Sequence, residues 1–434
     1  MLAFDGQLEF DPALDAHFLH ALPEHAAVAL IEPRETNAEP YLIRTANLRR
    51  RLERLLGPPD LRSKRLNLRE FARNVRYRLT ASRFEQAFAY YQHAKQLFPR
   101  RYQELARLRP PALLKVNLSS TYPRCYVTRK IRTSDSTGAP TGGMYYGPFA
   151  SRRAADGFAD KFLDLFKIRR CQIKIRRDPT FPGCIYSEMK MCLAPCFAGC
   201  TSEQYAGEVT RVVSFLETRG TSLTTEIEHE REAASDGLDF ERAAALHKRL
   251  DKVNDVLRGL PELPRNVEQL DAVILQRGPE EHTIAIFAVR AGRIAEPFFL
   301  RFAELASQPR SVEEILRVQF ESPGAVAESS GRAGGDDSRS AELPKGAEWQ
   351  NQSASSSAPR AERIQHNTLQ KDDLGEHLAL VSRWYYSKPR EGEIFFRQAD
   401  WPYRRILRAC SRVLAPAVPP AASVTPTDPM TPAE

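Results

Sequence analysis

Residues 171–196 read CQIKIRRDPTFPGCIYSEMKMCLAPC, and the four cysteines of this stretch decide how the chain is interpreted. Cys171, Cys184, Cys192 and Cys196 follow the spacing C-x12-C-x7-C-x3-C. Four thiolates satisfy either a tetrahedral zinc ion or a 4Fe–4S cluster. Zinc sites usually contain close cysteine pairs, whereas only the last pair is close here and Pro195 interrupts it. The spacing therefore favours iron–sulfur over zinc, and buried cysteines without a metal are the third reading.

The other three cysteines are weaker candidates for metal ligands. Cys200 follows the series closely enough to replace one ligand, whereas Cys125 and Cys410 are isolated and are expected in the core. The opening MLAFDGQLEF has acids where a signal peptide has basic residues, and no apolar run approaches the ~18 residues of a membrane span. We therefore expect a cytoplasmic protein with reduced thiols and no membrane contact.

The charge pattern points to a polyanionic partner. The chain has 434 residues, 42% of them hydrophobic, and its 63 Lys and Arg against 55 Asp and Glu give a net charge of +8. Two basic runs, 44–54 (RTANLRRRLER) and 167–177 (KIRRCQIKIRR), predict phosphate contacts, with a solvated face as the alternative. The candidate DNA-binding residues are Arg44, Arg49, Arg50, Lys167, Arg169, Arg170, Lys174, Arg176 and Arg177.

The order of patterns along the chain predicts an α+β multidomain protein. The Ser-, Ala- and Gly-rich stretch 322–373 and the Pro-rich tail 415–434 are expected to be disordered because they cannot bury enough apolar surface. HLALVSRWYY (377–386) and GEIFF (392–396) are expected to complete a sheet of the last region. The structured regions are 16–150 (α+β), 151–218 (Cys-rich), 220–258 (a helical hairpin), and 268–320 with 374–414 (mixed β/α). In the hairpin, Asp239 is the expected N-cap, and Phe240 and Ala244 are expected on the inner face.

These motifs, in this order, resemble the UvrC family, the nuclease subunit of bacterial nucleotide excision repair. MYYGPFASRRAADGFADKFLDLFKIRRC (144–171) is similar to the segment that leads into the family's cysteine cluster. CIYSEMKMCLAPC (184–196) is similar to its second to fourth cluster cysteines, and LDFERAAALHKRLDKV (238–253) resembles its UVR motif. The resemblance implies a 4Fe–4S cluster, with zinc as the alternative, on Cys171, Cys184, Cys192 and Cys196.

The same resemblance implies two macromolecular partners. A UvrB-like protein would dock on the hairpin, and double-stranded or damaged DNA would contact the basic runs. The hairpin residues that match the family's docking motif are Leu238, Phe240, Glu241, Ala244 and Leu246.

Residues 16–150 resemble a GIY-YIG nuclease that has lost part of its site. Ala27-Val28-Ala29 replaces the first triplet and Tyr41-Leu42-Ile43 the second, so the first tyrosine is missing. Arg51 falls on the family's catalytic arginine, but Tyr90 falls where the metal-binding glutamate lies. A neutral phenol does not hold a hard cation as a carboxylate does, so a divalent metal is not expected and Arg51 is interpreted as vestigial and phosphate-binding.

Two further features bear on catalysis. Glu53 and Glu85 are carboxylates of the same module that could substitute as metal ligands, and we interpret both as solvated helix residues instead. Residues 268–320 and 374–414 resemble part of the family's ribonuclease-H-like domain, whose Asp-x-Ser-His signature and following helix-hairpin-helix pair are missing from this sequence. The resemblance thus implies a truncated UvrC-like repair protein without its own incision activity. The alternatives are an active endonuclease with a rebuilt site and a UVR-containing adaptor that does not act on DNA.

Overall fold

The computed structural model describes residues 4–59, 65–134, 139–305, 310–321 and 373–415. Apart from Asp373 and Ala415, the two stretches predicted to be disordered lie outside these residues. None of the helices in the described ranges combines the length and the apolar composition that a membrane crossing needs.

The strands form three antiparallel sheets, with the orders β1-β4-β2-β3, β6-β5-β7-β8 and β11-β10-β9-β13, and β12 also pairs with β10. We call them sheets 1, 2 and 3. The strands are β1 Gly6–Glu9, β2 Ala27–Pro33, β3 Tyr41–Thr45, β4 Ala72–Leu79, β5 Ala112–Val116, β6 Cys125–Thr128, β7 Met144–Phe149, β8 Arg265–Asn266, β9 Ala272–Arg277, β10 Thr283–Arg290, β11 Arg293–Ile294, β12 Phe298–Arg301 and β13 Glu393–Phe396.

Helices cover these sheets and connect them. The helices are α1 Asp15–Ala21, α2 Leu48–Leu56, α3 Arg83–Leu97, α4 Tyr102–Leu105, α5 Arg152–Leu163, α6 Ile185–Glu188, α7 Ser202–Glu217, α8 Thr221–Asp236, α9 Phe240–Arg258, α10 Phe302–Leu305, α11 Val312–Glu321, α12 Asp373–Tyr385 and α13 Tyr403–Leu414. The α+β class predicted from the sequence agrees with this mixture of sheets and helices.

Sheet 1 separates two cores because successive side chains of a strand point to opposite faces. On one face Ala29 of β2 packs with Leu48 and Leu52 of α2. On the other face Val28 packs with Phe88 of α3. Side-chain caps start both helices, since Asn47 accepts from Arg50 N and Ser82 from Glu85 N.

The core that contains α3 continues into the last region of the chain. It includes Phe287 of sheet 3 together with Leu378 and Trp384 of α12, and Phe84 of α3 lies 5.5 Å from Trp384 between ring centroids. Most buried residues of 112–149 pack instead with α5 and α7–α9 in a separate core, while Leu113 and Tyr145 belong to the core that contains α3. The cores therefore group the chain differently from the predicted regions, whose first border lay at residue 150.

The segment HLALVSRWYY is helix α12, so its prediction as part of a sheet is wrong. Its buried residues Leu374, Leu378, Val381 and Trp384 recur every three or four positions, which is the spacing of one helical face. That face lies against α3 and sheet 3, whereas GEIFF does form the predicted strand, β13.

Helices α8 and α9 form the predicted hairpin, and Asp239 Oδ1 accepts the Arg242 N–H at 3.0 Å as the predicted N-cap. The predicted inner face is only partly right. Leu246 is buried, but Phe240 and Ala244 are exposed because the α8 contacts do not extend to the tip. The hairpin core is formed by Leu246, Leu250, Val253 and Val256 of α9 with Leu223, Ile227 and Ala234 of α8.

Candidate metal centre

The cysteine-bearing loop is held in shape by backbone hydrogen bonds rather than by a regular sheet or a long helix. Cys184 precedes the short helix α6, and its N–H donates to Ser187 Oγ at 2.8 Å. Ala194 and Ala198 adopt left-handed backbone angles, with φ of 58° and 62°, on either side of the short turn that holds Cys196. A non-glycine residue in this region is uncommon and costs free energy, so the loop geometry is imposed by its surroundings.

The four cysteines of the predicted series lie within electrostatic reach of one another. Burial raises the pKa of the Cys192 thiol to about 11, and the neighbouring Cys171, Cys196 and Cys184 add to that rise. Burial also raises the pKa of Cys196, with further contributions from Cys184 and Cys171. The Ala194 N–H donates to Cys192 Sγ at 3.3 Å, as backbone amides do for sulfur ligands. These interactions place Cys171, Cys184 and Cys196 in the electrostatic surroundings of Cys192, and the metal site itself stays a prediction.

The other three cysteines differ in their surroundings. Burial raises the pKa of the Cys200 thiol, and Cys196 adds to that rise. Cys200 also belongs to the core of sheet 2, so it lies between that core and the other cysteines. Cys125 and Cys410 are buried in separate cores, and burial raises the pKa of Cys125 to about 12 and that of Cys410 to about 11. The expectation that these two are core residues is confirmed.

The four cysteines are the residue types that bind zinc or an iron–sulfur cluster, but their side chains are not arranged as a closed metal site. Across the described ranges, no three or more His, Cys, Asp or Glu side chains are placed so that they already form a closed metal site. The pKa of Cys192 is nevertheless raised in part by Cys171, Cys184 and Cys196, so these thiols influence one another electrostatically without forming a closed site. Four sulfur donors are the ligand set of zinc and iron–sulfur sites.

The basic run beside the cluster divides into structural and exposed residues. Arg169 is buried, and its guanidinium donates to the carbonyl oxygens of Tyr122 at 3.0 Å and Ile173 at 2.7 Å. Arg170 pairs with Asp164 at 2.8 Å. These two arginines therefore support the fold and are poorly placed for DNA. The exposed candidates of this run are Lys167, Lys174, Arg176 and Arg177.

The first basic run divides in the same way. Arg49 is bound to the carbonyl oxygens of Leu22 and His20 and pairs with Glu24, so it fixes α2 in place. Arg50 and Arg44 are exposed, and the Arg44 guanidinium lies 5.5 Å from the centroid of the Tyr90 ring. Of the three candidates, only Arg44 and Arg50 remain placed to contact DNA.

The structure does not assemble a GIY-YIG site around Arg51. Arg51 and Tyr90 lie on α2 and α3, which cover opposite faces of sheet 1. Tyr90 is 7% exposed, and burial raises its pKa. Glu53 is exposed as expected, but the interpretation of Glu85 as solvated is wrong: its Oε2 accepts the Ala81 N–H at 2.8 Å at the buried start of α3.

An apolar tip distinguishes the hairpin. Leu238 is 72% exposed and Phe240 67% exposed, and Glu241 and Ala244 are exposed beside them. Leu246, the fifth candidate for partner binding, is buried in the hairpin core and is not available to a partner. Clustered exposed apolar residues with a polar rim are typical of protein-binding surfaces.

Sequence reasoning missed Arg219 and Arg265, which lie outside both basic runs. The fold places them side by side at a cavity of about 140 Å³, together with Arg405 of α13. No local signal identifies them, because the three arginines meet only through tertiary packing.

These features together define an α+β protein with a cysteine-bearing loop and a helical hairpin whose tip is exposed. Residues 112–215 match the family UvrC/Cho excinuclease, middle domain, which spans sheet 2 strands, the four cysteines and most of α7. Over this range the chain is similar to the UvrC family.

Several UvrC proteins share this similarity over a longer part of the chain. UvrABC system protein C of Moorella thermoacetica is 28% identical over 305 residues, 70% of this chain and 48% of the relative. The protein of that name from Carboxydothermus hydrogenoformans is 28% identical over 63% of this chain and 43% of its own. The one from Nitratidesulfovibrio vulgaris is 32% identical over 44% and 25%. The chain thus spans half or less of the length of these relatives. No solved structure matches it.

Proposed function

We propose that this protein is a UvrC-like component of nucleotide excision repair that binds DNA and a UvrB-like partner without cutting DNA itself. The match of residues 112–215 to the excinuclease middle domain carries the proposal. The four-thiol loop and the apolar hairpin tip support it, because both belong to binding rather than to phosphodiester cleavage.

The cofactor proposed for the loop is a 4Fe–4S cluster on Cys171, Cys184, Cys192 and Cys196, with zinc as the alternative. When bound, such a group supplies folding free energy, because a ligand set of this kind does not exist in the unfolded chain. Iron, sulfide and zinc should be quantified after purification without oxygen. Cys192→Ser should lower the metal content and Cys410→Ser, in a different core, should not. A colourless protein with stoichiometric zinc would contradict the cluster.

The partner surface proposed is the exposed hairpin tip. Phe240→Ser and Leu238→Ser should each weaken binding of a UvrB-like protein by tenfold or more, about the cost of one apolar anchor. Val318→Ser removes a comparably exposed apolar residue, 51% exposed on α11, and serves as the matched control. Equal affinity of the tip variants and the control would exclude the tip as the docking surface.

The absence of cutting is proposed from the residues around Arg51. In the described part of the chain Arg51 has no carboxylate ion pair, and no group of carboxylates stands in for the glutamate that Tyr90 replaces. Nicked, bubble and lesion-bearing DNA should remain intact with Mg²⁺ or Mn²⁺, with and without UvrA and UvrB. Metal-dependent cutting that Arg51→Ala abolishes would instead establish the active endonuclease.

A second candidate function is an adaptor that does not act on DNA. Internal contacts favour it, because four of the nine candidate DNA contacts already bind groups within the fold: Arg49, Arg169, Arg170 and Arg177. The two functions differ in one measurement. Binding of duplex DNA that weakens steeply with salt supports the repair protein, and partner binding without any DNA affinity supports the adaptor.

A further inference from the structure

A cavity lies where the turn between α7 and α8 meets β8 and α13. It has a volume of about 140 Å³, roughly ten times the ~10–15 Å³ that holds one water molecule. Arg219, Arg265 and Arg405 line it, with Gln398 and the rings of Phe395 and Phe396. A compact anion of a few heavy atoms fits this space, and the lining offers it hydrogen-bond donors on apolar walls.

Two of these arginines lie close together without a carboxylate ion pair among the described residues. Arg219 donates to the carbonyl oxygens of Pro261, Glu262 and Pro264. Arg265 donates to the Glu262 carbonyl oxygen at 2.8 Å and stacks 3.6 Å from the Phe396 centroid. Backbone carbonyl oxygens thus accept the hydrogen bonds of both arginines, and the exposed Glu262 carboxylate favours the charged form of Arg265.

Burial makes this arrangement costly without an anion. Burial and the neighbouring Arg219 lower the pKa of Arg265 to about 10, which shows that its surroundings disfavour the charged form. Its Nε–H is buried and has no acceptor among the described residues. A buried donor or charge that lacks a partner is strongly destabilising unless something compensates it.

The charges around the cavity define its open side. The adjoining cavity of about 530 Å³ shares Arg219 and Arg265 but is lined by Glu217, Glu268 and Asp271, which repel anions. On the other side, α13 carries a basic surface formed by exposed residues Arg404, Arg405 and Arg408. Positive charge is thus continuous from the surface of α13 into the smaller cavity.

We propose that the cavity lined by Arg219, Arg265 and Arg405 binds a phosphoryl group, with the basic surface of α13 contacting neighbouring phosphates. Planar guanidinium groups bind phosphate oxygens in a two-pronged geometry, which suits this chemistry better than an ammonium group would. The phosphoryl group belongs either to a nucleic-acid backbone or to a free phosphate. The first source deepens the proposed DNA contact and rests on the proposed function.

The first arm of the test uses the full chain and a duplex oligonucleotide. Arg405→Ala should weaken binding about eightfold at 0.1 M salt and reduce the slope of log K against log salt by about 0.9, the effect of one lost phosphate contact. Arg265→Lys keeps the charge but loses the fork and should also weaken binding. Arg83→Ala, which removes an arginine side chain that is 83% exposed and outside the cavity, is the control.

The second arm uses inorganic phosphate and needs no DNA. Phosphate should raise the melting temperature of the unaltered chain above its value in chloride of equal ionic strength, and this rise should shrink in Arg405→Ala. A rise without any change in DNA binding among the variants would identify free phosphate as the source. No rise, together with equal DNA binding by Arg405→Ala, Arg265→Lys and Arg83→Ala, would overturn the site. If the unaltered chain binds no DNA, the proposed function fails while the phosphate arm still decides the cavity.

Discussion

A buried polar network joins α3 to α12, and its central residue is Glu376. Glu376 is 6% exposed and accepts hydrogen bonds from Tyr91 Oη at 2.7 Å, Gln103 Nε2 at 2.8 Å and Tyr102 Oη. Lys95 Nζ lies 3.8 Å from its carboxylate. Because these partners lie between residues 91 and 103, the network fastens α3 and α4 to the segment that begins at residue 373.

Glu376→Ala should therefore destabilise the protein by about 3–5 kcal/mol. Three hydrogen bonds to a charged acceptor contribute about 1.5–3 kcal/mol each, but they are not additive. Lys95 also keeps its ion pair with Asp373 in this variant. The loss of stability should therefore be smaller than the sum of the three hydrogen-bond contributions. Glu376→Gln keeps the shape and loses the charge, so we expect about 2 kcal/mol.

The fluorescence of Trp384 reports on this junction, because its ring lies against Phe84 of α3. Urea unfolding would be followed in a background in which Trp349 and Trp401, the other two tryptophans, are replaced by Phe. Asp373→Asn is the control, because the Asp373 side chain is 28% exposed and should cost about 1 kcal/mol or less. If Glu376→Ala costs no more than Asp373→Asn, the network does not hold the two segments together.

Three further predictions concern single positions. Burial lowers the pKa of His377 to about 3, and its Nδ1 accepts the Ile294 N–H. The free energy of unfolding should therefore be about 2 kcal/mol lower at pH 5 than above pH 6.5, because the unfolded state binds the proton more tightly. His377→Gln should make the urea midpoint less dependent on pH. Gly392→Ala should lower the melting temperature, because a Cβ at φ +78° would lie 2.1 Å from a carbonyl oxygen of β9. Gly207→Ala in α7 should raise the melting temperature, because its Cβ would meet nothing within 4 Å and alanine favours a helix. Tyr90→Glu should cost about 2 kcal/mol and should not create Mg²⁺-dependent cutting; cutting in a nuclease assay would refute our view of the module.

Local signals were enough to predict many of the elements. The hairpin was predicted with Asp239 as the N-cap of α9, and GEIFF was predicted as the strand β13. The four-cysteine set was also visible, because cysteine spacing is written in the sequence even where the connecting backbone is irregular. Helix α12 was missed because its apolar run suits a strand or a helix, and only packing against α3 and sheet 3 decides between them.

Charge was the least predictable property because the sequence shows charges but not their partners. Arg169 stands in a run of basic residues and yet is buried with backbone acceptors. Glu85 was expected in solvent but lies at the buried start of α3. Arg219 and Arg265 stand alone in the sequence but share one cavity. A basic run is therefore weaker evidence for a nucleic-acid contact than arginines whose charges the fold leaves uncompensated.

The packing of α3 gives a physical reason for the tyrosine at position 90. A metal-binding carboxylate must be ionised and open to substrate, and burying it without a partner would cost several kcal/mol. Here α3 lies between sheet 1 and the elements of the last region, and Tyr90 is buried with the Arg44 guanidinium near its ring. A tyrosine at this position gains apolar burial where a carboxylate would lose hydration. Residue 90 therefore lies in the same core as α12 and sheet 3, and this packing supports our proposal of a scaffold without nuclease activity.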